Sequence, residues 1–319
     1  MATSGDIVFK VTSDEIITEA LELLGVLGEG ESPTTAQLSS SRRTLNMMTK
    51  TWQAEGLNLF AVQRLFLFPK KGQAEYPLGD TSGTNFTTSF VTSAVAVAAS
   101  ELDTTIELDD VTGVNAGDFI GIYTVDNVFH WAQIIGSPAG NVVNIAFGPL
   151  PADVLVGAVV YSYTAVAERP MLILEGYTHQ FSGTDIPLDL IGRVDYYELA
   201  NKTTEGFINQ IYYDPQIDDG NLFVWPLVSD ERDYLILLVQ RTLFDMNTGA
   251  NNPDYPQEWY MPLAYNLARY LAPKYGTPQM DYSRLMQQAR ELYDLARGFD
   301  TEMGTSMYLR PDTWGNDLP

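Results

Sequence analysis

The sequence predicts an α+β protein: a four-helix bundle core with a small antiparallel sheet, carrying an inserted all-β barrel or sandwich domain. Three observations lead there. Apolar residues recur at helical spacing near both ends of the 319-residue chain, at Leu38, Leu45, Met48 and Trp52 and again at Trp259, Leu263, Leu267 and Leu271. Between them, residues 86–165 alternate short β-branched or aromatic runs with glycine-marked turns, the spacing of a small barrel or sandwich. The mixed composition before that stretch resumes after it, so it reads as an insertion. Four segments follow: 1–80, a helical hairpin and a β-hairpin; 86–165, the inserted all-β domain; 166–300, the rest of the core with a sheet and two C-terminal helices; and 301–319, an extended tail.

Residues 12–25 read as a helix. Thr12 and Glu15 have capping-box spacing, Ile16, Ile17, Ala20, Leu21 and Leu24 follow helical periodicity, and Gly25 can stop it. After a turn at 28–31, Ser32 is expected to cap a second helix with Pro33 at its first position, and Gly56 ends it. So short a connection makes the pair an antiparallel hairpin. From Val62 the period becomes two. Residues 62–68 and 74–78 flank Lys70-Lys71-Gly72 and predict a β-hairpin, followed by a linker at 80–85. In the insertion, strands are expected at 105–108, 119–123, 130–135, 142–147 and 159–163. Residues 185–201 are expected to be helical around Leu188, Leu190, Ile191, Tyr196 and Leu199. Strands follow at 208–213, 222–225 and 234–240, the last continuously apolar and so central or buried on both faces. Helices at 256–275 and 280–299 close the core, with Pro262 early enough to kink the first only mildly. Leu45, Met48, Trp52, Trp225 and Trp259 are the expected core anchors. The tail shows no periodicity but holds Met307, Tyr308, Leu309 and Trp314, apolar anchors of the kind with which a flexible segment grips a partner.

Charge narrows the function. Eighteen Lys and Arg against 41 Asp and Glu give a net charge of −23, which argues against wrapping nucleic acid. Between Lys71 and Arg169 there is no Lys or Arg, but there are eleven acids. This is either an ordinary solvated acidic surface or a face that must not adhere to DNA and other polyanions. The absence of cysteine removes disulfides, thiolate nucleophiles and cysteine-based zinc sites, and fits a reducing compartment. The first ten residues lack a basic segment leading into an apolar one, so no signal peptide is expected. No run of 18 apolar residues exists, so no membrane partner is expected.

A search for chemistry finds no strong motif. His130 and His179 lack a Gly-x-Ser-x-Gly elbow and read as structural histidines. Asp214, Asp218, Asp219 and Gly220 lack calcium-loop spacing and read as a solvated turn. The glycines from Gly25 to Gly30 follow a helix, not a strand, and so fail the context for nucleotide binding. Paired carboxylates such as Asp109-Asp110 are expected by chance in so acidic a chain. No catalytic residue, cofactor or metal ligand is therefore assigned, and the protein is not expected to be an enzyme.

The ends of the chain resemble a known family. Ala20-Leu21-Glu22-Leu23-Leu24-Gly25, Leu45-Asn46-Met47-Met48 and Trp52-Gln53-Ala54-Glu55-Gly56-Leu57 look like the opening helices of head-to-tail adaptors of short-tailed bacteriophages, the connector or head-closure proteins. These include the tail accessory factor and tail tubular protein A groups. Ile191-Gly192-Arg193-Val194-Asp195-Tyr196, Lys202-Thr203-Thr204-Glu205-Gly206, Gln210-Ile211-Tyr212-Tyr213-Asp214-Pro215, Trp225-Pro226 and Pro256-Gln257-Glu258-Trp259 are similar to a long-form relative. The resemblance spans residues 12–80 and 185–300, and the β insertion departs from the short forms. It implies a homo-oligomeric ring of about twelve copies in the virion. The ring would sit between a portal protein and a downstream tail or nozzle protein, with DNA passing through its channel without specific binding. It also implies that Met307, Tyr308, Leu309 and Trp314 reach the portal. A net-negative channel wall offers phosphates few cations to pin them. Two other readings remain open: a tail-associated adhesin whose β domain binds a glycan or receptor, and a two-carboxylate glycosidase.

Overall fold

The computed structural model describes residues 7–28, 30–56, 59–79, 85–146, 149–276 and 279–300. Its helices are α1 (Ser13–Leu23), α2 (Thr35–Ala54), α3 (Arg193–Glu198), α4 (Tyr260–Tyr275) and α5 (Gln279–Phe299). The strands begin with β1 (Val62–Leu67), β2 (Glu75–Leu78) and β3 (Phe86–Thr87). The insertion supplies β4 (Val91–Val97), β5 (Thr105–Leu108), β6 (Phe119–Tyr123), β7 (Phe129–Ile134), β8 (Val142–Ala146) and β9 (Val159–Tyr163). After it come β10 (Pro170–His179), β11 (Asp185–Pro187), β12 (Asp189–Leu190), β13 (Glu205–Gly206), β14 (Gln210–Asp214), β15 (Gly220–Trp225), β16 (Leu227–Val228) and β17 (Tyr234–Arg241). The chain divides into two compact units, one built from its two ends and one from residues 61–243.

The expected four-helix bundle core with only a small sheet is overturned. The protein is mostly sheet, with a closed six-stranded barrel, and two large buried apolar clusters lie in the sheet-bearing unit. In the terminal unit α4 is a hub that packs on α1, α2 and α5. Its residues Leu263, Leu267, Ala268 and Leu271 are buried, as are Ile17 and Leu21 of α1 and Leu45 and Met48 of α2. The start of α1 is set locally: Thr12 accepts from the Glu15 amide and Glu15 accepts back from the Thr12 amide at 2.7 Å. The second helix starts at Thr34, not Ser32. Three residues on from Thr34 stands Gln37, whose side chain accepts from the Thr34 amide at 2.7 Å; three on from Ser32 stands Thr35, which cannot complete the box.

Outside the insertion the strands form two facing sheets, ordered β11-β10-β17-β1-β3 and β12-β14-β15-β2, and a small pair, β13-β16. Leu65, Leu67, Leu235, Leu237 and Val239 of the first and Tyr76, Leu78, Ile211, Leu222 and Val224 of the second make one buried cluster. The expected hairpin of residues 62–78 does not form. All six residues of β1 pair antiparallel with β17, Leu65 opposite Leu237, while β2 pairs with β15, Tyr76 opposite Leu222. Partners so distant in sequence outbid the nearby one because each strand then buries its apolar face between the sheets. Strand β17 is central, as its apolar run suggests. The helix expected over 185–201 shrinks to α3, and Asp185–Pro187 and Asp189–Leu190 pair as edge strands instead. Pro187 and Gly192 interrupt any longer helix.

The insertion closes in the order β4-β5-β8-β7-β6-β9. Alternate residues point inward, among them Val95, Ile106, Leu108, Ile120, Ile122, Ile134, Val143, Ile145 and Val160. Its first strand, β4, is not among the expected strands. The expected linker at 80–85 lies outside the described residues except for Asn85.

Candidate functional site

A group of titratable side chains lies where the barrel meets the facing sheets, on the turn Asp230-Glu231-Arg232-Asp233 before β17. Glu231 is 4% exposed. One of its oxygens accepts from the Lys71 amide and the other from the Phe129 amide of β7, both at 2.6 Å. These are short, charge-assisted bonds. Asp230 holds Arg232 through both carboxylate oxygens, with Nη2 at 2.6 Å. The guanidinium in turn covers the rings of Tyr123 and Phe181, at 5.2 and 4.4 Å from their centroids. Asp233 accepts from the Phe181 amide at 2.8 Å. Tyr161 of the barrel donates to the Arg232 carbonyl.

Beneath this turn lies an aromatic cluster: Phe68, Phe129, Tyr161 and Tyr163, with Phe66, Phe90, Trp131 and Tyr234 packed on it. Phe68 stacks on Tyr161 at 5.0 Å and Phe90 meets both edge-on. Such pairs add to the burial of large apolar area. The Trp131 ring lies flat over Gly121, where a β-carbon would come within 2.7 Å of it.

The electrostatics of the turn are split. Hydrogen bonds from Arg232 hold the Asp230 carboxyl below its ordinary range, outweighing its burial. Burial pushes Asp233 upward, against the Phe181 amide bond that lowers it. Burial also raises Tyr161 and Tyr163. Each carboxylate of the turn is thus engaged by amides or by Arg232. What this arrangement does chemically is to hold loops from the barrel and from the sheets on one carboxylate-rich turn.

Of the expected anchors, Leu45, Met48, Trp52 and Trp259 are buried in the terminal unit. Trp52 lies 4.7 Å from Tyr293 and 5.8 Å from Trp259, and Tyr293 donates to Glu55 at 2.7 Å. The cleft beside them measures about 10 Å³, room for no more than a water. Trp225 is only half-buried, at the end of β15, and donates to the Asn201 carbonyl at 2.8 Å. The structure therefore joins Trp52 to Trp259 and sets Trp225 in the other unit. Met307, Tyr308, Leu309 and Trp314 lie outside the described residues.

His130 sits in β7 with a buried Nε2 that finds no hydrogen-bond partner among the described residues, and burial lowers its pKa. His179 Nδ1 lies 2.6 Å from Asp185, and its ring packs on Tyr234. Among the described residues no group of three or more His, Asp and Glu is placed to hold a metal ion, and no helix is long and apolar enough to cross a membrane. Sequence reasoning passed over Glu231, Arg232 and Asp233. Their sequence is that of a solvated turn, and only its position against Tyr234 and the long apolar strand hinted at burial.

Compared with known proteins, the chain matches no family model and no curated protein.

Proposed function

We propose that the chain is a structural virion protein, a head-to-tail adaptor of a short-tailed bacteriophage. In this reading it forms a ring, of about twelve copies, below the portal. The ring joins the DNA-filled head to the tail at the head-tail junction and extends the channel through which DNA is ejected, after assembly in the host cytoplasm. Its partners are other copies of itself, the portal protein and the downstream tail or nozzle protein. DNA slides past a net-negative chain without specific binding. No catalytic role is part of the proposal.

The observation that carries it is the apolar surface left open on the terminal unit. On α5, Leu295 and Phe299 are 73% and 78% exposed and share a face four residues apart. Ile7, Val8 and Phe9 are also exposed, with Phe9 tilted against Tyr260 at 6.1 Å. Large apolar side chains exposed side by side on one helix face suit burial against another protein. The resemblance of the end segments to head-to-tail adaptors names the class of protein.

The test is assembly. Mass measurement and negative-stain imaging of the purified chain, alone and with the cognate portal, should show a ring in at least the second case. The Leu295→Glu/Phe299→Glu double variant should remain folded and fail to assemble. A chain that stays monomeric beside its portal refutes the proposal.

A further inference from the structure

One mouth of the barrel gathers exposed apolar side chains. Three turns meet there: the one after β4, the β6–β7 turn and the segment 149–158. Backbone bonds tie them together: Leu102 donates to the Leu150 carbonyl at 2.9 Å, Val125 to the Asp153 carbonyl at 3.0 Å, and Glu101 to the Asp153 carboxylate at 2.8 Å. The tips are apolar and open: Leu102, Val125, Leu155 and Val156 are all exposed. Leu102 holds a φ of +73°, a conformation uncommon for a residue other than glycine, and presents its side chain to solvent there. Between the β6–β7 turn and the segment 155–158, beside the Leu102 turn, runs a groove of about 290 Å³ lined by Tyr123, Val125, Asn127, Leu155 and Val156.

The rim of this groove is acidic. Glu101, Asp103, Asp126 and Asp153 are exposed on the same turns, and residues 86–165 contain no Lys or Arg. Arg232, which lies over the Tyr123 ring of the groove, has its charge taken by Asp230.

We propose that this mouth is a docking site for a protein segment that presents an apolar side chain flanked by lysine or arginine. The groove takes the apolar side chain and the rim pairs with the flanking cations. A second copy of the same mouth is disfavoured, because two acidic rims would face each other. Nucleic acid and anionic membrane are disfavoured for the same reason. The inference concerns the insertion alone and stands whether or not the protein is an adaptor.

The probe is a fluorescein-labelled peptide with two leucines between paired lysines, titrated with the full chain and followed by anisotropy. Two control peptides replace the leucines by serines or the lysines by glutamates. Saturable binding of the lysine–leucine peptide is expected, weakened about tenfold for the serine peptide and in the Leu155→Ser/Val156→Ser variant, the loss that removing two exposed apolar contacts gives. Raising the salt should weaken it further, and the glutamate peptide should not bind. Because Leu155 and Val156 are exposed in the free chain, the variant should keep the wild-type melting temperature; Val125→Ser serves as a second variant on the opposite wall. Equal affinity of all these variants for the peptide overturns the site, since general acidity alone would then be the attraction. Equal binding of the glutamate peptide overturns its charge logic. No saturable binding at all, or a self-associated chain that falls apart on Leu155→Ser/Val156→Ser substitution, overturns the proposed partner.

Discussion

Replacing Glu231 by alanine should loosen the barrel from the sheets and destabilise the unit that contains both. Each oxygen of this carboxylate accepts a backbone amide at 2.6 Å, one from Lys71 and one from Phe129. A hydrogen bond to a charged group contributes about 1.5–3 kcal/mol. Losing both, and leaving the Phe129 amide buried, should cost about 3–5 kcal/mol. The Lys71 bond lies nearer solvent than the Phe129 bond, which favours the lower end. Glutamine keeps one carbonyl acceptor but turns an NH2 group toward the other amide, so Glu231→Gln should lose about half as much. Urea unfolding of the full chain gives the free energies, and amide exchange at Lys71 and Phe129 localises the effect. Both amides should exchange faster in the alanine variant, while those of α4 keep their protection. An alanine variant within about 0.5 kcal/mol of wild type, with both amides still protected, refutes the clasp.

The same turn should show opposite pH behaviour at its two aspartates. Asp233 is raised in the folded protein, so the folded state binds its proton more readily, and its contribution to stability is present at acid pH and lost as pH rises through the folded value. Asp233→Asn keeps an acceptor for the Phe181 amide and should raise the melting temperature at pH 7 but not at acid pH; a gain that persists undiminished in acid would falsify the assignment. Asp230 is lowered, so its contribution is present above the unfolded value and lost as pH falls. Asp230→Asn should therefore lower the melting temperature at pH 7, with the deficit closing on acidification. Gly121→Val should cost about 1–3 kcal/mol by overpacking, because its β-carbon would enter the Trp131 ring, and should shift the tryptophan emission; an unchanged spectrum and denaturation midpoint would show that the ring is free to move aside.

Local chemistry was legible in the sequence, and distant pairing was not. The α1 cap could be read because Thr12 and Glu15 settle it between themselves, and the strand at 119–123 because an apolar, aromatic run follows the turn at Gly117, which has a φ of +88°. The longest pairing partner of β17, β10, was missed. Its run is broken by Glu175 and Gly176, where a shift in register lets Gly176 lie against Leu237. The β1–β17 pair joins residues far apart in the chain, and nothing near Val62 names Gln240 as its partner. Glu231 was missed for a related reason: burial of a carboxylate depends on which amides arrive from elsewhere, and these come from Lys71 and Phe129.

The two chain crossings that feed the barrel run side by side. Thr87 donates to the Ala165 carbonyl at 2.8 Å, and Ala167 donates to the Phe86 carbonyl at 3.2 Å. To the sandwich, everything between those residues is topologically a loop whose ends already touch, so its length costs little in closure entropy. Lengthening a turn at the far end of the barrel should therefore leave the strand register beneath it unchanged. The barrel's far mouth can change its turns freely, while the residues that meet the sheets, Phe129 and Tyr161 among them, are held by the Glu231 turn and the aromatic cluster.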